Sequence, residues 1–562
     1  MANEKYHYDA IVVGSGITGG WAAKELTEKG LRVLMLERGR NIEHVKDYVN
    51  AWKEAWDLPH RGRPTPKQRA VTKGWLFSQA TLGMWVDERD SPYTETKPFR
   101  WVRGYHVGGR SLLWGRQSYR MPPMDFEANA KEGIAIDWPI RYKDLAPWYD
   151  YVERFAGIAG TMEGLDEVLP DGQFLPPIRL NAVERDAAAQ IKRAFGGTRH
   201  LINSRVAHVT EYRPEQGRAA CQLRNKCNVG CPYGAYFSTQ SATLPAAMKT
   251  GRLTLRPFSI VKEVLYDKDR KRARGVEIID AENGQTYQYT ARVIFINAGS
   301  FNSTWLLMNS ATDVWEGGLG SSSGELGHNA MDHHSGAGGG GQVEGYLDSY
   351  VFGRRPVSGF YVPRFRNVGG DKRDYLRGFG YQGGAGRGRG APGAGDIAVG
   401  PELKEALSVP GNWNISMGGF GEMLPYYDNK ISLDPVRKDK WGLPILAIDV
   451  SLHENELAMR KDMKEAAQEF FEAIDFVKNV GSHDGGYTPG NGIHEMGTAR
   501  MGRDPKTSVL NAHNQVWDAP NVYVTDGACM TSSGCVNPSL TYMAITARAA
   551  DHAVRELKAR NL

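Results

Sequence analysis

The chain has 562 residues, more than one compact core usually accommodates, so we expect about two to four structural units. Hydrophobic residues make up 41% and charged residues 24%, which is typical of a soluble globular protein. The net charge of +5 is too small to indicate a nucleic-acid-binding protein, and no apolar run is long enough to span a bilayer.

The N-terminal segment predicts a β-α-β unit that binds a dinucleotide. Residues 8–13 (YDAIVV) read as a buried strand, a glycine-rich turn and a helical stretch follow, and LRVLMLERG reads as a second strand. Gly14 permits the tight turn, Gly16 lets the backbone approach a pyrophosphate, and Gly19 lets the helix pack on the strand. Glu37 ends the second strand, where a carboxylate accepts hydrogen bonds from a ribose. This acid fits both NAD and FAD, and the spacing does not separate them.

The middle of the chain predicts short helices, strands and glycine-rich loops. Residues 121–204 mix proline, aromatic and short helical segments, a helix is expected near 240–250, and RVIFINAG from Arg292 reads as a buried strand. SGAGGGGQVEG after His334 and GGAGRGRGAPGAG after Gln382 predict two surface loops, with a mobile lid as the alternative. Strand-like segments such as SGFYVPRF and WNISMGGFGEML predict an antiparallel sheet.

The last third predicts a packing helix and a final strand–helix pair. ELAMRKDMKEAAQEFFEAI carries apolar residues at helical spacing, which is typical of a helix packed on a sheet. NVYVTDGA reads as a strand, and SLTYMAITARAADHAVRELKAR reads as a helix that follows it.

Three of the five cysteines lie within eleven residues, in CQLRNKCNVGCPYG. Cys221, Cys227 and Cys231 are followed by Pro232, and three thiolates at such loop spacing suit an iron–sulfur cluster. The alternatives are a partial zinc site, for which no fourth ligand is obvious nearby, and buried free thiols. The odd number of cysteines in so long a chain argues against a disulfide scaffold.

The C-terminal motifs carry a family resemblance. HEMGTARMG begins at His494, and NVYVTDGACMTSSGCVNPSLTYMAI follows it. Together with the N-terminal glycine turn and the VGGRSLLWG segment at 107–115, they resemble the glucose–methanol–choline (GMC) oxidoreductase family, which binds FAD. The resemblance implies that His494 and Asn537 form the catalytic pair. It also implies that Asp526 and Gly527 contact the flavin's phosphate and ribityl chain.

This resemblance implies an α/β fold with two domains. The Rossmann-like FAD-binding domain, as in p-hydroxybenzoate hydroxylase, would comprise residues 1–120, 205–310 and 490–562. An α+β substrate-binding domain built on an antiparallel sheet would comprise residues 121–204 and 311–489. The family's substrate domain varies, and the resemblance is weakest there.

The same resemblance implies a set of FAD contacts spread over the whole chain. They belong to the glycine turn, the end of the second strand, the VGGRSLLWG segment, the strand-like stretches of the middle and the C-terminal motifs. The implied residues are Gly14, Gly16, Gly19, Glu37, Arg38, Gly108, Gly109, Ser111, Trp114, Gly115, Val261, Ala298, Gly299, Asp526, Gly527, Asn537, Pro538, Leu540 and Thr541.

The VGGRSLLWG segment resembles that of pyranose oxidases and bacterial sugar dehydrogenases. Some pyranose oxidases carry, just before the tryptophan, a histidine that is linked covalently to FAD, and Leu113 stands at that position here. The resemblance therefore implies noncovalent FAD. The nearby His106 does not match the linking position.

Alcohol oxidation explains the residue types of the implied catalytic pair. A base takes the hydroxyl proton while hydride leaves carbon for flavin N5. An imidazole suits the base because its pKa lies near neutral pH, and Asn537 can donate a hydrogen bond to the developing alkoxide. The other noted histidines are expected to be structural rather than metal ligands: His513, and His328, His333 and His334 of the HNAMDHH segment.

The cysteine spacing is similar to that of iron–sulfur-bearing FAD glucose dehydrogenase catalytic subunits. There, three cysteines hold a 3Fe–4S cluster near the flavin, so Cys221, Cys227 and Cys231 are the expected ligands. The alternative is a 4Fe–4S cluster with one outside ligand. Because such a cluster relays single electrons, it indicates a dehydrogenase with a cytochrome c acceptor rather than an oxidase that uses oxygen.

The N-terminal MANEKYHYDA contains no apolar signal core, so we expect no export signal in this chain. Catalytic subunits of this kind are exported folded, with a small partner that bears a twin-arginine signal. The resemblance therefore implies a periplasmic enzyme, and the alternative is a cytoplasmic one. We expect no nucleic-acid partner and no membrane insertion by this chain.

The stretch RGYHVGGRSLLWGRQSYRM looks most like glucoside 3-dehydrogenase catalytic subunits. Those oxidise the C3 hydroxyl of glucosides and disaccharides to 3-keto sugars, so the resemblance implies an FAD-dependent sugar dehydrogenase. The alternatives are an oxygen-using enzyme like pyranose oxidase, an enzyme like gluconate 2-dehydrogenase, and a lyase like the hydroxynitrile lyases of this fold.

Overall fold

A computed structural model describes residues 7–73, 77–350, 359–390 and 399–562 of the chain. These residues form an eight-stranded sheet with a parallel centre and a six-stranded antiparallel sheet, together with sheets of three and two strands. The predicted α/β fold with a second part built on an antiparallel sheet is confirmed.

The strands and helices are numbered in chain order. The strands are β1 (Tyr8–Val13), β2 (Val33–Leu36), β3 (Thr94–Glu95), β4 (Ile158–Ala159), β5 (Phe174–Leu175), β6 (Ile202–Asn203), β7 (Leu253–Arg256), β8 (Ser259–Asp267), β9 (Arg272–Asp280), β10 (Thr286–Ile296), β11 (His333–Val343), β12 (Phe360–Val362), β13 (Phe379–Arg389), β14 (Pro410–Glu422), β15 (Lys430–Lys438), β16 (Pro444–Asp449), β17 (Val477–Asp484), β18 (Gln515–Val516) and β19 (Ala519–Val524). The helices are α1 (Ile17–Glu28), α2 (Pro66–Arg69), α3 (Pro123–Glu132), α4 (Tyr142–Ala156), α5 (Ala182–Ala194), α6 (Leu244–Lys249), α7 (Ser300–Asn309), α8 (Pro401–Ser408), α9 (Glu454–Glu472) and α10 (Ser539–Ala559). None of the helices in the described residues combines the length and the apolar character that a bilayer crossing needs.

The parallel sheet is built around the predicted β-α-β unit. Its strand order is β18-β19-β10-β1-β2-β7, and the five strands from β19 to β7 run parallel to one another. Side chains alternate across it, so that Ala10 and Val12 pack toward α1 and α10 while Ile11 and Val13 join the core on the other face. Both faces are thus covered, which explains why the central strands are almost entirely apolar.

The antiparallel sheet has the strand order β17-β11-β14-β13-β12-β6. α9 packs on one face of it, which confirms the predicted packing helix. Met459, Met463, Ala466 and Phe470 repeat at helical spacing and are fully buried in this core. Burial of each large side chain stabilises the fold by about 1.5–3 kcal/mol.

The prediction of two surface loops is wrong for the glycine-rich segments, because β11 and β13 run through them. Only the end of the second segment, residues 391–395, lies outside the described part of the chain. A Cβ atom at Gly338 would lie 2.2 Å from the carbonyl oxygen of Met417, and one at Gly341 would lie 2.6 Å from Cγ1 of Val477. Glycine is required here because the neighbouring strands approach too closely for a side chain, not because the chain turns.

The small three-stranded sheet joins β3 to β16 and β15. A strand of the segment 1–120, which was assigned to the FAD-binding domain, therefore pairs with the segment 311–489. The exact boundaries between the two domains stay a prediction.

Candidate active site

A cavity of about 630 Å³ lies at the carboxyl ends of the parallel strands. Its wall includes Gly14, Glu37 and Asn297, which directly follow β1, β2 and β10. Ligands of open α/β sheets bind at this edge, because loops and helix N-termini with free N–H groups meet there.

The glycine turn between β1 and α1 has the geometry that a dinucleotide needs. Gly14 has a φ of +92°, and a Cβ atom there would lie 2.4 Å from the carbonyl oxygen of Asn297. A Cβ atom at Gly19 would lie 2.0 Å from the carbonyl oxygen of Gly14, so the helix can pack on the turn only because Gly19 has no side chain. At Gly16, a Cβ atom would meet nothing within 4 Å and would project into the cavity.

Glu37 is buried at the end of β2 and ties the glycine turn to that strand. Its Oε2 accepts hydrogen bonds from the backbone N–H and the hydroxyl of Ser15 at 3.2 and 2.5 Å, and its Oε1 accepts one from the N–H of Gly39 at 2.9 Å. Burial raises the pKa of Glu37. A carboxylate has about four acceptor positions, so Glu37 can accept further hydrogen bonds from a ribose.

Asp526 is buried beyond the end of β19 and holds two loops together at the cavity wall. Its Oδ2 accepts hydrogen bonds from the N–H of Gly299 at 2.9 Å and the hydroxyl of Ser303 at 2.5 Å, and its Oδ1 accepts one from the N–H of Ala528. Burial raises the pKa of Asp526 to about 6. The loop after β10 is thereby fixed next to the segment that contains Gly527.

The cavity wall fits a large polar cofactor such as FAD. A Cβ atom at Gly16, Gly115 or Gly299 would meet nothing within 4 Å, so the wall presents bare backbone to a ligand. Buried polar atoms without a partner are rare in folded proteins, and a bound ligand would satisfy them. Among the described wall residues, the atoms of this kind are Arg38 Nε, Trp85 Nε1, Arg103 Nε, Arg116 Nε, Gln117 Nε2, Asn297 Nδ2, Ser300 Oγ and Tyr542 OH.

His494 lies on the cavity wall, and His333 fixes its tautomer. Nε2 of His333 lies 2.7 Å from the carbonyl oxygen of Gly534, which can only accept, so this nitrogen carries the proton. Burial lowers the pKa of His333 to about 4, so the ring is neutral and its Nδ1 is an acceptor. That atom lies 3.0 Å from Nδ1 of His494, which is therefore the donor.

His494 is consequently a neutral imidazole with its lone pair on Nε2. Burial lowers the pKa of His494 well below its usual value, and the neighbouring His333 and Arg110 act in the same direction. With Nδ1 protonated and bonded to His333, Nε2 is the only ring atom that can take a proton. The side chain can therefore act as a general base toward a hydroxyl in the cavity.

Asp332, one residue before β11, positions the loop that carries His494. Its Oδ1 accepts hydrogen bonds from the N–H groups of His333 and His494 at 2.8 and 3.0 Å. Its Oδ2 accepts from the N–H groups of Gly490 and Gly492 and from the hydroxyl of Tyr487, at 2.9, 3.1 and 2.6 Å. One buried carboxylate thus holds both ends of this loop.

Asn537 faces the same cavity from the residue pair that precedes α10. Its Oδ1 accepts a hydrogen bond of 2.6 Å from Nε2 of Gln382 on β13. Phe420 on β14 also lines the cavity, and its ring centre lies 6.2 Å from that of His494. Together with His333 on β11, the antiparallel sheet contacts both members of the predicted catalytic pair.

Most predicted FAD contacts line this cavity. They are Gly14, Gly16, Glu37, Arg38, Gly109, Ser111, Trp114, Gly115, Val261, Ala298, Gly299, Asp526, Gly527 and Asn537, and Leu113 joins them. Within the described part of the chain, the predicted contacts that lie behind the wall are Gly19, Gly108, Pro538, Leu540 and Thr541. The N–H of Gly108, for example, donates to Oγ of Ser15 at 2.9 Å, so this glycine supports the turn.

Much of the remaining wall was not predicted, either because the residue lies in no motif, as Gln382 and Phe420 do, or because it lies inside a motif whose other residues carried the assignment, as Arg110 does. The wall residues that were not predicted include Trp101, Tyr105, Arg110, Gln117, Gln382, Phe420, Glu495, Ser539 and Tyr542. The buried Glu495 forms a bidentate ion pair with Arg110, with N–O distances of 3.2 and 2.7 Å. For residues on the strands, the alternation of side chains was an available signal. It places only one of the two successive histidines of HNAMDHH, His333 and His334, on the side of the site.

The other noted histidines lie apart from one another. His328 stacks on Tyr427, with 3.9 Å between ring centres, and His513 stacks on His552 at 4.0 Å. His334 is buried near α9, on the opposite face of the sheet from His333. His106 is buried, and its Nδ1 donates to the carbonyl oxygen of Val107 at 3.1 Å, so it does not line the cavity.

The three clustered cysteines lie on one loop, and Cys227 is on the cavity wall. Burial raises the pKa of Cys221 to about 11, and the nearby Cys227 and Cys231 act in the same direction. Sγ of Cys227 lies 3.6 Å from Nε2 of His208. Across the described residues, no three His, Cys, Asp or Glu side chains are arranged to hold a metal ion. The thiols are neighbours, but they do not form a ready-made cluster site.

Relatives that span almost the whole chain are found among curated proteins. The 2-methyl-1,2-propanediol dehydrogenase of Mycolicibacterium austroafricanum is 30% identical over 97% of this chain and 95% of the relative. The fructose dehydrogenase large subunit of Gluconobacter japonicus is 25% identical over 99% of this chain and 100% of the relative. The gluconate 2-dehydrogenase flavoprotein of Pantoea cypripedii is 26% identical over 100% of this chain and 95% of the relative.

Solved structures share the fold at low sequence identity. Pyridoxine 4-oxidase from Mesorbium loti superposes with a TM-score of 0.57 and 18% identity, over 97% of this chain and 98% of the other. Formate oxidase from Aspergillus oryzae superposes with a TM-score of 0.63 and 13% identity, over 100% of both chains.

Family models agree with these relatives. Two models described as GMC oxidoreductase match the chain, one over residues 8–335 and the other over residues 425–546. The matched ranges contain the glycine turn, Glu37, His494 and Asn537. The chain therefore belongs to the GMC oxidoreductase family and is an FAD-dependent enzyme that acts on CH–OH groups.

Proposed function

We propose that this enzyme is a dehydrogenase of a sugar hydroxyl, with the secondary C3 hydroxyl of glucosides and disaccharides as the first candidate. One observation carries the assignment of His494 as the base: its Nδ1 is committed to His333, so its Nε2 lone pair is free on the cavity wall. The C3 position follows from the sequence resemblance alone.

The residues of this chain account for the proton and for the developing charge. The substrate hydroxyl donates its proton to Nε2 of His494, while its oxygen accepts a hydrogen bond from the amide of Asn537. FAD, when bound, supplies the acceptor for the hydride that leaves the carbinol carbon. The neutral state of His494 makes the base available at neutral pH without prior deprotonation.

The names of the relatives support a polyhydroxylated substrate. Fructose and gluconate both carry several hydroxyl groups, and the proteins named for them align over nearly all of this chain. Aromatic residues on the wall, among them Trp101, Trp114 and Phe420, offer faces on which a sugar ring can stack.

A second candidate is the oxidation of a primary hydroxyl of a small diol. The relative at 30% identity is named for 2-methyl-1,2-propanediol, whose hydroxyls are primary and tertiary. Product identification separates this candidate from the first, since the diol gives an aldehyde and a sugar C3 hydroxyl gives a ketone.

The test is an anaerobic titration of the purified holoenzyme. Glucose, methyl α-glucoside, lactose, gluconate, fructose and 2-methyl-1,2-propanediol are added in turn, flavin bleaching is followed, and products are identified by NMR. H494A should keep FAD but slow the bleaching by about 10²–10⁴-fold, the usual contribution of a general base. H513A is the matched control and should behave as wild type. Bleaching by none of these alcohols, or at an unchanged rate in H494A, would refute the proposal.

The same titration addresses the oxidase and lyase alternatives. The paromamine 6'-oxidase of Streptomyces fradiae is 26% identical over 99% of this chain, which favours a trial with oxygen. Stoichiometric peroxide release in air would identify an oxidase. Bleaching by an alcohol without oxygen would exclude a lyase.

We also propose that Cys221, Cys227 and Cys231 bind an iron–sulfur cluster of the 3Fe–4S type. Their spacing and the position of Cys227 at the cavity wall support it. Their thiols do not converge as a metal site among the described residues, so no reaction step is assigned to a cluster. Iron and acid-labile sulfide analysis, with low-temperature EPR and C227S as the control, tests the idea. Full FAD loading without iron would overturn it.

A small signal-bearing partner, a cytochrome c acceptor and a periplasmic location are proposed on the same sequence grounds. The relative from Gluconobacter japonicus is named a large subunit, which favours a search for a second chain. Co-purification from the native host and reduction of cytochrome c by the alcohol-reduced enzyme test these points. Reduction of dyes but of no c-type cytochrome would overturn the acceptor.

A further inference from the structure

Gln382 is the polar side chain of the antiparallel sheet that reaches Asn537. Its Nε2 donates to Oδ1 of Asn537 at 2.6 Å, across 155 residues of sequence. Both side chains line the cavity. No motif of the sequence marks Gln382, and the mechanism above gives it no role.

Strand geometry directs Gln382 toward the cavity. The preceding Tyr381 is fully buried on the opposite face, where its hydroxyl donates to the carbonyl oxygen of Met463 on α9 at 2.6 Å. Successive side chains of a strand alternate, so Gln382 points away from α9. Its cross-strand neighbour is Gly418, where a Cβ atom would meet nothing within 4 Å. Gln382 therefore stands beside open space and can act on Asn537 without being crowded.

The direction of the Gln382–Asn537 hydrogen bond decides which end of the Asn537 amide meets the substrate. An amide side chain has one accepting oxygen and one donating nitrogen. While Gln382 engages the oxygen, the nitrogen of Asn537 is left for the alcohol oxygen. With the Asn537 amide turned by 180°, its nitrogen would face the nitrogen of Gln382, two donors would oppose each other, and the amide oxygen of Asn537 would compete with His494 for the hydroxyl hydrogen of the alcohol.

We propose that Gln382 is a positioning residue that holds the Asn537 amide with its nitrogen toward the substrate. The inference rests on the proposed function, in which Asn537 donates to the alcohol oxygen. Gln382 sets the orientation through its donor group, so its size alone does not suffice.

Two nearly isosteric variants separate the donor from the size. Glu at position 382 can only accept, so Q382E should pull the nitrogen of Asn537 toward itself and turn the oxygen to the substrate. Loss of one donor to a developing oxyanion costs about 10²–10³-fold in rate, so we expect a fall of about 10²-fold in anaerobic flavin reduction at saturating alcohol. Q382M leaves the amide free to rotate and should lose only about tenfold or less. The alcohol is the one that bleaches the wild type fastest in the panel above.

A double-mutant cycle with N537A shows whether Gln382 acts through Asn537. In the N537A background, Q382E should change the rate by no more than about twofold, because its target is gone. Equal factors in both backgrounds would show that Gln382 contacts the substrate directly and would overturn the inference, as would a wild-type rate in Q382E. FAD absorbance and melting temperature are recorded for every variant. The H494A variant separates failure of this inference from failure of the proposed function. Flavin reduction at the wild-type rate in H494A would refute the proposed function. Slow flavin reduction in H494A together with a wild-type rate in Q382E would refute only the role of Gln382.

Discussion

The Nδ1 atoms of His333 and His494 lie 3.0 Å apart, and the carbonyl oxygen of Gly534 on the far side of His333 makes His494 the donor of this contact. A chain of two hydrogen bonds therefore determines which nitrogen of the catalytic imidazole is free. His333 is buried, and His494 is partly buried with its ring on the cavity wall, so the acceptor that fixes the tautomer is shielded from water while the catalytic ring still meets the cavity.

Replacing His333 with Phe should slow catalysis without releasing FAD. The variant keeps a ring but removes the acceptor for Nδ1 of His494, so the base is no longer held in one tautomer and orientation. We expect the rate of anaerobic flavin reduction to fall about 10–100-fold, since small displacements of a reacting group cost up to about 10²-fold. Rapid-mixing absorbance measures it. The control is H328A, on a histidine that stacks on Tyr427 away from the cavity, and an H333F rate equal to that of H328A would contradict the role of His333.

The pH dependence of kcat/KM reports the charge of His494. The base is active when neutral, and burial lowers its pKa, so activity should persist as the pH falls through about 6.5, the ordinary value of imidazole. The acidic limb should appear only below that value. Steady-state rates in overlapping buffers measure the profile. A limb centred at or above the ordinary value would mean that His494 is stabilised as a cation.

Replacing Asp332 with Ala should lower stability as well as rate. The change leaves buried N–H groups of His333, His494 and Gly490 without their acceptor, at about 1–3 kcal/mol for each unsatisfied group. We expect a clear drop in melting temperature, followed by differential scanning fluorimetry. D313A, at an exposed ion pair with Lys268, is the control and should melt as wild type. Equal melting temperatures for D332A and D313A would show that Asp332 does not stabilise the loop that carries His494.

Two glycines of the nucleotide turn should fail in different ways. G19A places a methyl group 2.0 Å from the carbonyl oxygen of Gly14, so we expect loss of folded protein. G16A adds a methyl group that meets no atom of the chain within 4 Å, so the protein should fold but bind FAD weakly. Circular dichroism and FAD titration of the apoprotein separate the two effects. A G16A variant with wild-type FAD affinity would show that the pyrophosphate lies elsewhere.

Local patterns predict the nucleotide half well, because each role there belongs to a short segment. The turn from Gly14 to Gly19, the acid at Glu37 and the motif residues His494 and Asn537 all lie where their motifs indicate. His494 and Asn537 were predicted from the resemblance of their motifs to the family, not from hydrophobic periodicity.

Long-range packing explains what the sequence did not reveal. The composition of the glycine-rich stretches suggests loops, yet these stretches form β11 and β13. Glycine is needed there because the neighbouring strands lie too close for a side chain. His333 and Gln382 act on partners 161 and 155 residues away. Such pairings depend on how two sheets dock, and no local pattern contains that information.

The position of β19 between β18 and β10 has a consequence for biosynthesis. The glycine turn at residues 14–19 is translated long before residues 519–524, which complete the central sheet that carries it. A polypeptide that stops before residue 519 therefore has an open sheet and lacks Asn537 altogether. The cavity wall needs both the glycine turn and the residues that follow β19, so such shorter translation products carry the turn without a complete active site.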